Sequence, residues 1–364
     1  MSINLGQLAS SFPFAAGIIP YMEEMLPHED EIQLSLIVPS FNTAKFIPSY
    51  TEKFLNLRCS NEYELIFIDD GSTDGKTGQL LDELCFRFSS FCKVIHKKNG
   101  GHGSAINVGV AAAKGRYFKV IDGDDAIPMD SLSDFLLFLK DCDADVVFSD
   151  FEHFFVNTGK TSRVSAVRKT AGGAVKEPNL NDFLFQLHSL TYKTTFWKNN
   201  NIKVREQVFY EDQEYCVFPI PFIKTFSYFE HPTYIYSIGV PGQSVSFSGY
   251  AKHEEDSKLC LEDMLSLFFE ELENSNSQNF KLLTKWVAFA CAARYRHIIL
   301  AKEGAERKKL VDDLRLKISR SPLLLAETNA YKIAKYVHLF RGHFLGLVQK
   351  RLKRKLSRFN EGLE

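Results

Sequence analysis

Five short apolar runs punctuate the first half of the chain. They lie at 34–38, 64–68, 93–96, 117–121 and 145–148, the first closed by Pro39 and the second by Asp69. Between them apolar residues recur at helical spacing, as Leu80, Leu81, Leu84 and Phe88 do, then an alanine-rich stretch at 104–113 and a strongly apolar one at 132–139. Continuous apolar runs alternating with amphipathic helices predict a mostly parallel sheet with helices on both faces. In such sheets ligands sit beyond the carboxyl ends of the strands, so the loops after the strands are where chemistry is expected. Residues 151–250 mix short strands, aromatic-rich loops and turn signals such as Gly172-Gly173 and Pro241-Gly242, and from about Ala251 the pattern is helical to the end.

Composition narrows the class. With 364 residues, 45% hydrophobic and 24% charged, the chain is neither disordered nor a fibrous repeat. Its 44 basic and 45 acidic residues leave a net charge of −1, which excludes a bulk nucleic-acid binder. The 32 phenylalanines demand an extensive core or a partner surface. Seven cysteines, an odd number without a C-x-x-C pair, point to reduced thiols in a cytoplasm and away from a disulfide scaffold or a cysteine zinc site. No apolar run approaches the roughly 18 residues of a membrane span. The apolar stretch 12–19 has no Lys or Arg before it and is flanked or broken by Pro13 and Pro20, unlike a secretory signal. Residues 1–31 contain no Lys or Arg and end in Glu23, Glu24, Glu29, Asp30 and Glu31. They read as an extension, either a packed arm or a partner-binding segment.

The strand ends carry acids. Pro39-Ser40-Phe41-Asn42 follows the first strand, Asp69-Asp70-Gly71-Ser72-Thr73-Asp74 the second, and Asp122-Gly123-Asp124-Asp125 the fourth. Parallel strands place these loops on one edge, so up to six carboxylates converge. Such crowding raises pKa values unless a cation relieves it, and carboxylate oxygens suit Mg²⁺ or Mn²⁺. Each motif alone also makes good turn chemistry; their joint placement is the stronger signal.

Three further segments complete a pattern: residues 99–109 (Asn-Gly-Gly-His-Gly-Ser-Ala-Ile-Asn-Val-Gly), 113–117 and 120–125. With the first two strand-end loops, they resemble the family-2 glycosyltransferases over about residues 32–150, and more weakly through about residue 247. The resemblance implies an α/β GT-A fold, a catalytic domain at 32–250 and a helical C-terminal region at 251–364. Within that domain, 32–150 would bind the nucleotide sugar and 151–250 would form the acceptor side. It implies that Pro39, Ser40, Phe41 and Asn42 line the nucleotide pocket, and that Asp70 accepts the N3–H of uracil from a UDP-sugar. Asp122 and Asp124 correspond to the D-x-D motif, with Asp124 as main metal ligand, Asp122 at the ribose or metal, and Gly123 between them. Gly100, Gly101 and Gly103 permit close backbone approach, and the helix after them offers amides to an anion. Asn107 belongs to the same nucleotide-side motif. Relatives often carry Arg where this chain has Ile106, so His102 or Lys98 would take that contact, or His102 is a plain loop residue.

An acidic pair within residues 209–215, Glu211-Asp212, matches the position of the family's general base, with Asp212 as base and Glu211 second. The same pair also suits an ordinary acidic first helical turn. Gln243 and Ser244, in 242–246, resemble a loop that closes over the diphosphate. The Gln-x-x-Arg-Trp signature of processive synthases is absent, which implies one sugar per encounter. The resemblance thus implies an inverting, metal-dependent, UDP-sugar glycosyltransferase with a saccharide or lipid-linked acceptor in surface polysaccharide synthesis. The alternatives are a nucleotidyltransferase and a non-catalytic sugar-nucleotide-binding scaffold. A homo-oligomer remains open.

Finally, 341–358 holds Arg341, Lys350, Arg351, Lys353, Arg354, Lys355 and Arg358 and no acid. Leu345, Val348, Leu352, Leu356 and Phe359 form one stripe beside this basic face. Such a helix lies on an anionic membrane, here the inner face of the cell membrane, or packs on its own protein.

Overall fold

The computed structural model describes residues 32–48, 62–168, 178–240, 249, 252–274, 276–339 and 344–360. The extension 1–31 and the loop with Gln243 and Ser244 lie outside the described residues.

β1 (Leu34–Ser40) and β2 (Tyr63–Asp69) pair in parallel, and every residue of both is buried. Burial on both faces is why these runs are continuously apolar rather than alternating. α1 (Thr77–Arg87) leads to β3 (Cys92–His96) beside β2, and α2 (His102–Ala112) leads to β4 (Tyr117–Val120) on the other side of β1, all parallel. After α3 (Met129–Asp141) the chain forms β5 (Val146–Phe155), β6 (Lys160–Val164) and β7 (Leu190–Lys193). β7 inserts antiparallel between β4 and β5, giving the order β3-β2-β1-β4-β7-β5-β6. α4 (Thr194–Asn199), α5 (Asp212–Val217) and β8 (Phe226–Ile238) follow, β8 running parallel to β5. The parallel half matches expectation, and the antiparallel β6 and β7 make the whole sheet mixed.

Aromatic rings fill the junction under this sheet. Phe118, Tyr192, Trp197 and Tyr215 pack with centroids 5.1 to 6.4 Å apart, which is where much of the ring content goes. The six cysteines among the described residues are buried free thiols.

The C-terminal part is helical: α6 (Glu254–Glu270), α7 (Gln278–Ala301), α8 (Gly304–Ser319), α9 (Pro322–Thr328), α10 (Lys332–Leu339) and α11 (Leu345–Asn360). α7 is the hub, and its buried residues join one apolar cluster with those of the sheet. A two-pronged ion pair ties the halves, Arg205 donating to Asp263 of α6 at 2.6 and 2.7 Å. In α11, Leu345 is buried, Val348 and Leu352 are half-buried against the core, and Gln349 donates to the Leu300 carbonyl. This part of the apolar stripe is therefore covered by the protein itself, while Lys350, Arg351, Lys353, Arg354 and Lys355 are exposed. No helix among the described residues is long and apolar enough to cross a membrane.

Candidate active site

A single cavity of about 1530 Å³ opens at the carboxyl ends of β1, β2 and β4. Pro39, Ser40, Phe41 and Asn42 line it, with Phe41 48% exposed at its mouth. Asn42 sits at φ 55, in the left-handed region. Its Oδ1 accepts from the amides of Thr73 (2.8 Å) and Asp74 (3.1 Å), stitching the loop after β1 to the loop after β2.

Of the six strand-end acids, Asp70, Asp122 and Asp124 line the cavity and Asp69, Asp74 and Asp125 do not. Asp69 accepts from the Ser72 amide and from His96, fixing the turn. Asp74 accepts from the amides of Lys76 and Thr77 and from the Thr77 hydroxyl at the start of α1. These bonds pull its pKa down to about 2.

Asp70 accepts from Lys97 Nζ and the Gly100 amide on Oδ1, and from the Gly101 amide on Oδ2. The anion held by this glycine-rich loop is thus the chain's own Asp70, a role that sequence reading gave to a ligand. An ionised carboxylate has about four lone-pair sites, so Asp70, which lines the cavity, can accept one further bond on Oδ2. The close approach that the glycines allow is also internal. Gly101 has φ +83, and a Cβ on Gly103 would meet the Arg205 carbonyl at 2.1 Å. The segment 204–210 crosses here, and Asn107 exchanges hydrogen bonds with the backbone of Val204. Asn107 and Gly100 therefore do not line the cavity; they hold the segment that does.

That segment is strained, with Gln207 at φ 60 and Tyr210 at φ 73, conformations that persist where surrounding structure enforces them. It delivers Glu211 and Asp212 opposite Asp122. His102, the first residue of α2, bridges the two sides: Nδ1 lies 2.6 Å from Glu211 Oε1 and Nε2 lies 2.9 Å from Asp122 Oδ1. Enclosure opposes a charge on His102, but Asp122 and Glu211 raise its pKa well above the ordinary value. Enclosure likewise opposes ionisation of Asp122, yet His102 beside it holds its carboxyl below the usual range.

The neighbouring acids go the other way. Loss of hydration, then the charge of Asp122, raise Asp124. The same causes, with Asp124 added, push the buried Asp125 up to about 9. Asp212 faces the open cavity with protein behind it; loss of hydration, then Glu211 and Asp122, push its pKa up to about 7.

Oxygen donors crowded until they repel one another fit a hard divalent cation. The carboxylates of Asp122 and Asp125 and a ring nitrogen of His188 lie within 4.8 Å of one another. His188 Nδ1 is buried without a hydrogen-bond partner, and burial lowers its pKa to about 4, so the ring is neutral and able to ligate. Asp124 stands outside that trio. Asp125 was one of the six strand-end acids expected to converge, but His188 was not singled out from sequence. Asp125 also reads as a turn residue, and His188 is the middle residue of the short 3₁₀ turn Leu187–Ser189 with no motif around it.

The cavity also reaches α7, where Trp286, Phe289 and Arg296 line it with Tyr331. Nothing in the sequence pattern marked these residues, because their periodicity is that of any amphipathic helix.

Comparison with known proteins bears on the family and the fold. Residues 35–209 match the family profile Glycosyl transferase family 2. Glycosyltransferase GlyG of Streptococcus pneumoniae is 32% identical over 127 residues, 35% of this chain and 41% of that protein. Poly(ribitol-phosphate) beta-N-acetylglucosaminyltransferase TarS of Staphylococcus aureus is 27% identical over 231 residues, 62% of this chain and 38% of TarS. The matches thus span about two-fifths of these relatives' lengths. The crystal structure of S. aureus TarS 1–349 in complex with UDP-GlcNAc superposes with a TM-score of 0.62 at 20% identity, over 91% of this chain and 92% of that one. The profile match shows that residues 35–209 belong to the glycosyl transferase family 2, and the superposition shows that the chain has the GT-A fold.

Proposed function

We propose that the protein is an inverting glycosyltransferase that moves one sugar from a UDP-sugar to a hydroxyl of a saccharide or lipid-linked saccharide in surface polysaccharide synthesis. One observation carries this reading: the D-x-D acids and Asp212 face each other across a single cavity, joined through His102 and Glu211. The relatives GlyG and TarS point to the same class of product.

The uracil ring lies on the exposed Phe41, and its N3–H donates to the open site on Asp70 Oδ2. Cytosine has no N3–H and is refused. Asp122 with Asp124, or with Asp125 and His188, would hold Mg²⁺ or Mn²⁺, which neutralises diphosphate charge when bound. Asp212 takes the proton from the acceptor hydroxyl as it attacks the anomeric carbon on the face opposite the leaving UDP. A base near pKa 7 matches that task at neutral pH. Glu211 and His102 hold Asp212 and Asp122 on opposite sides of the reacting centre. The exposed basic face of α11 gives an anionic membrane surface a place to dock the enzyme near lipid-linked acceptors.

The test is UDP release across a panel of UDP-sugars with Mn²⁺ or Mg²⁺, followed by acceptor screening. Release that one sugar stimulates and Asp212→Asn abolishes supports the reading. UDP binding without release under any pairing returns the scaffold alternative.

A further inference from the structure

The cavity continues past the acids to a second wall that the nucleotide does not need. One face of α7 forms it, with Lys285, Trp286, Phe289, Ala293 and Arg296 spaced one, three, four and three residues apart. Trp286 meets Phe185 at 5.8 Å and Phe289 at 5.7 Å, and Tyr331 lies 5.9 Å beyond Phe289. This is a continuous aromatic strip, and Phe289 is 38% exposed. Ala290 and Ala293 stand where larger side chains would fill the space in front of it.

Cations mark both ends. Arg168 lies over the Trp286 ring at 5.9 Å and Lys285 is exposed beside it. Arg296, half-buried, sits at the other end. Next to it His297 packs edge-on to Tyr210 at 4.6 Å, two residues from Asp212. Three cations and one acid, Glu327 of α9, thus line this part of the cavity. From Lys285 to Arg296 the helix rises about 16 Å, longer than one sugar ring. A ring face offers its negative π-cloud to the C–H face of a sugar, while Arg and Lys take anionic groups by charge-assisted hydrogen bonds.

We propose that the acceptor is an anionic oligosaccharide, bearing phosphate or carboxylate groups, that lies along the α7 wall with its reacting hydroxyl at Asp212. The proposal rests on the glycosyltransferase reading for the role of acceptor; the binding site itself stands on the wall.

The two are separated by a binding experiment without donor. The chain has two tryptophans, and Trp197 is sealed in the core at 2% exposure, so fluorescence changes report Trp286. The full-length protein is titrated at low salt with hexagalacturonate, with a phosphorylated maltohexaose, and with neutral maltohexaose, and each titration is repeated by calorimetry. At least one acidic oligomer is expected to bind about tenfold more tightly than maltohexaose, the difference of one charge-assisted contact. Arg296→Gln and Lys285→Gln are each expected to weaken the acidic oligomer several-fold and leave maltohexaose unchanged, with UDP binding retained as proof of folding. Comparable affinity for maltohexaose and the acidic oligomers overturns the charge assignment. Absence of both heat and fluorescence change with every oligomer, while UDP still binds, overturns the wall as a site. If acidic oligomers bind as expected and no UDP-sugar is turned over, the wall stands and the enzymatic reading is what fails.

Discussion

The loop after β2 and the facing ends of β4 and α5 are both rich in acids, and they use them in opposite ways. In the first region each carboxylate is met by donors. Asp69 has the Ser72 amide and His96, Asp70 has Lys97 and two loop amides, and Asp74 has two amides and a hydroxyl. In the second region one histidine is shared by Asp122 and Glu211, the Tyr234 hydroxyl and the Ser237 amide donate to Asp125, and the pKa values of Asp124, Asp125 and Asp212 are nonetheless raised. Carboxylates that the backbone satisfies fix shape. Carboxylates crowded against one another and cut off from water are raised in pKa even where donors reach them, and they keep charge or proton available for a ligand. The residue type is the same; the crowding of like charges separates scaffold from chemistry.

The sharpest way to break that distinction is Asp212→Asn. Asn keeps the size of the side chain but cannot accept a proton, so transfer should fall about 10²–10⁴-fold. UDP affinity, measured by calorimetry, should stay within about twofold. In the wild type kcat/KM should rise with pH and level off above about 7, because the base must be deprotonated and its pKa is pushed up to about 7. That limb should vanish in the variant. Glu211→Gln should cost less, since Glu211 acts through His102. Full turnover in Asp212→Asn with loss in Glu211→Gln would move the base to Glu211.

Next in size is Asp70→Ala. Side chains of Asp70 and Lys97 are 4% and 18% exposed, and removing one partner of such a pair leaves the other uncompensated. Together with two orphaned amides, the loss should be about 3 kcal/mol in urea unfolding. The milder Asp70→Asn should keep more of the fold and lose the preference for UDP over CDP. If the wild type already bound CDP as tightly as UDP, Asp70 would belong wholly to the scaffold and the base-reading role would go.

The crowded region makes the reverse prediction. A ligand cation stabilises by mass action, so Mn²⁺ or Mg²⁺ at about 100 times its dissociation constant should raise the melting temperature by several degrees. Asp122→Ala should lose most of that rise. A melting temperature indifferent to both cations in the wild type, with or without UDP, would remove the metal from this site.

Much of this was legible in advance. β1, β2 and β4 announce themselves because burial on both faces forces continuous apolar runs, and parallel pairing then fixes which loops meet. The acids at those loops could be found because each follows a continuous apolar strand, whereas the pair at 211–212, which locally reads as any acidic first helical turn, could be found only through the family resemblance. What stayed hidden depends on contacts between distant segments. Whether Asp70 faces a ligand or the Gly100 amide is decided by how the loop after β3 folds back across 30 residues. Asn107 carries a motif position, yet its partner Val204 is 97 residues away. The face of α7 has the spacing of any core helix, and only the cavity in front of Trp286 and Phe289 distinguishes it.

The smallest effect tests the scaffold side of the comparison. Asp74 is exposed and accepts three bonds at the start of α1. Replacing it with Ala removes an acceptor for otherwise orphaned amides, which costs about 1 kcal/mol at a helix start. The sign with pH follows from its depressed pKa, about 2 against an ordinary 3.8. Between those values the unfolded chain binds more protons than the folded one, so Asp74 contributes fully above about pH 4 and loses its contribution as pH falls toward 2. Urea unfolding of wild type and Asp74→Ala should therefore differ at pH 7 and converge at the acid end. UDP affinity should be the same in both. If Asp74→Ala instead kept its stability and lost UDP, a donor-satisfied carboxylate of the β2 loop would be serving the ligand. Crowding of like charges would then no longer tell scaffold from chemistry in this protein.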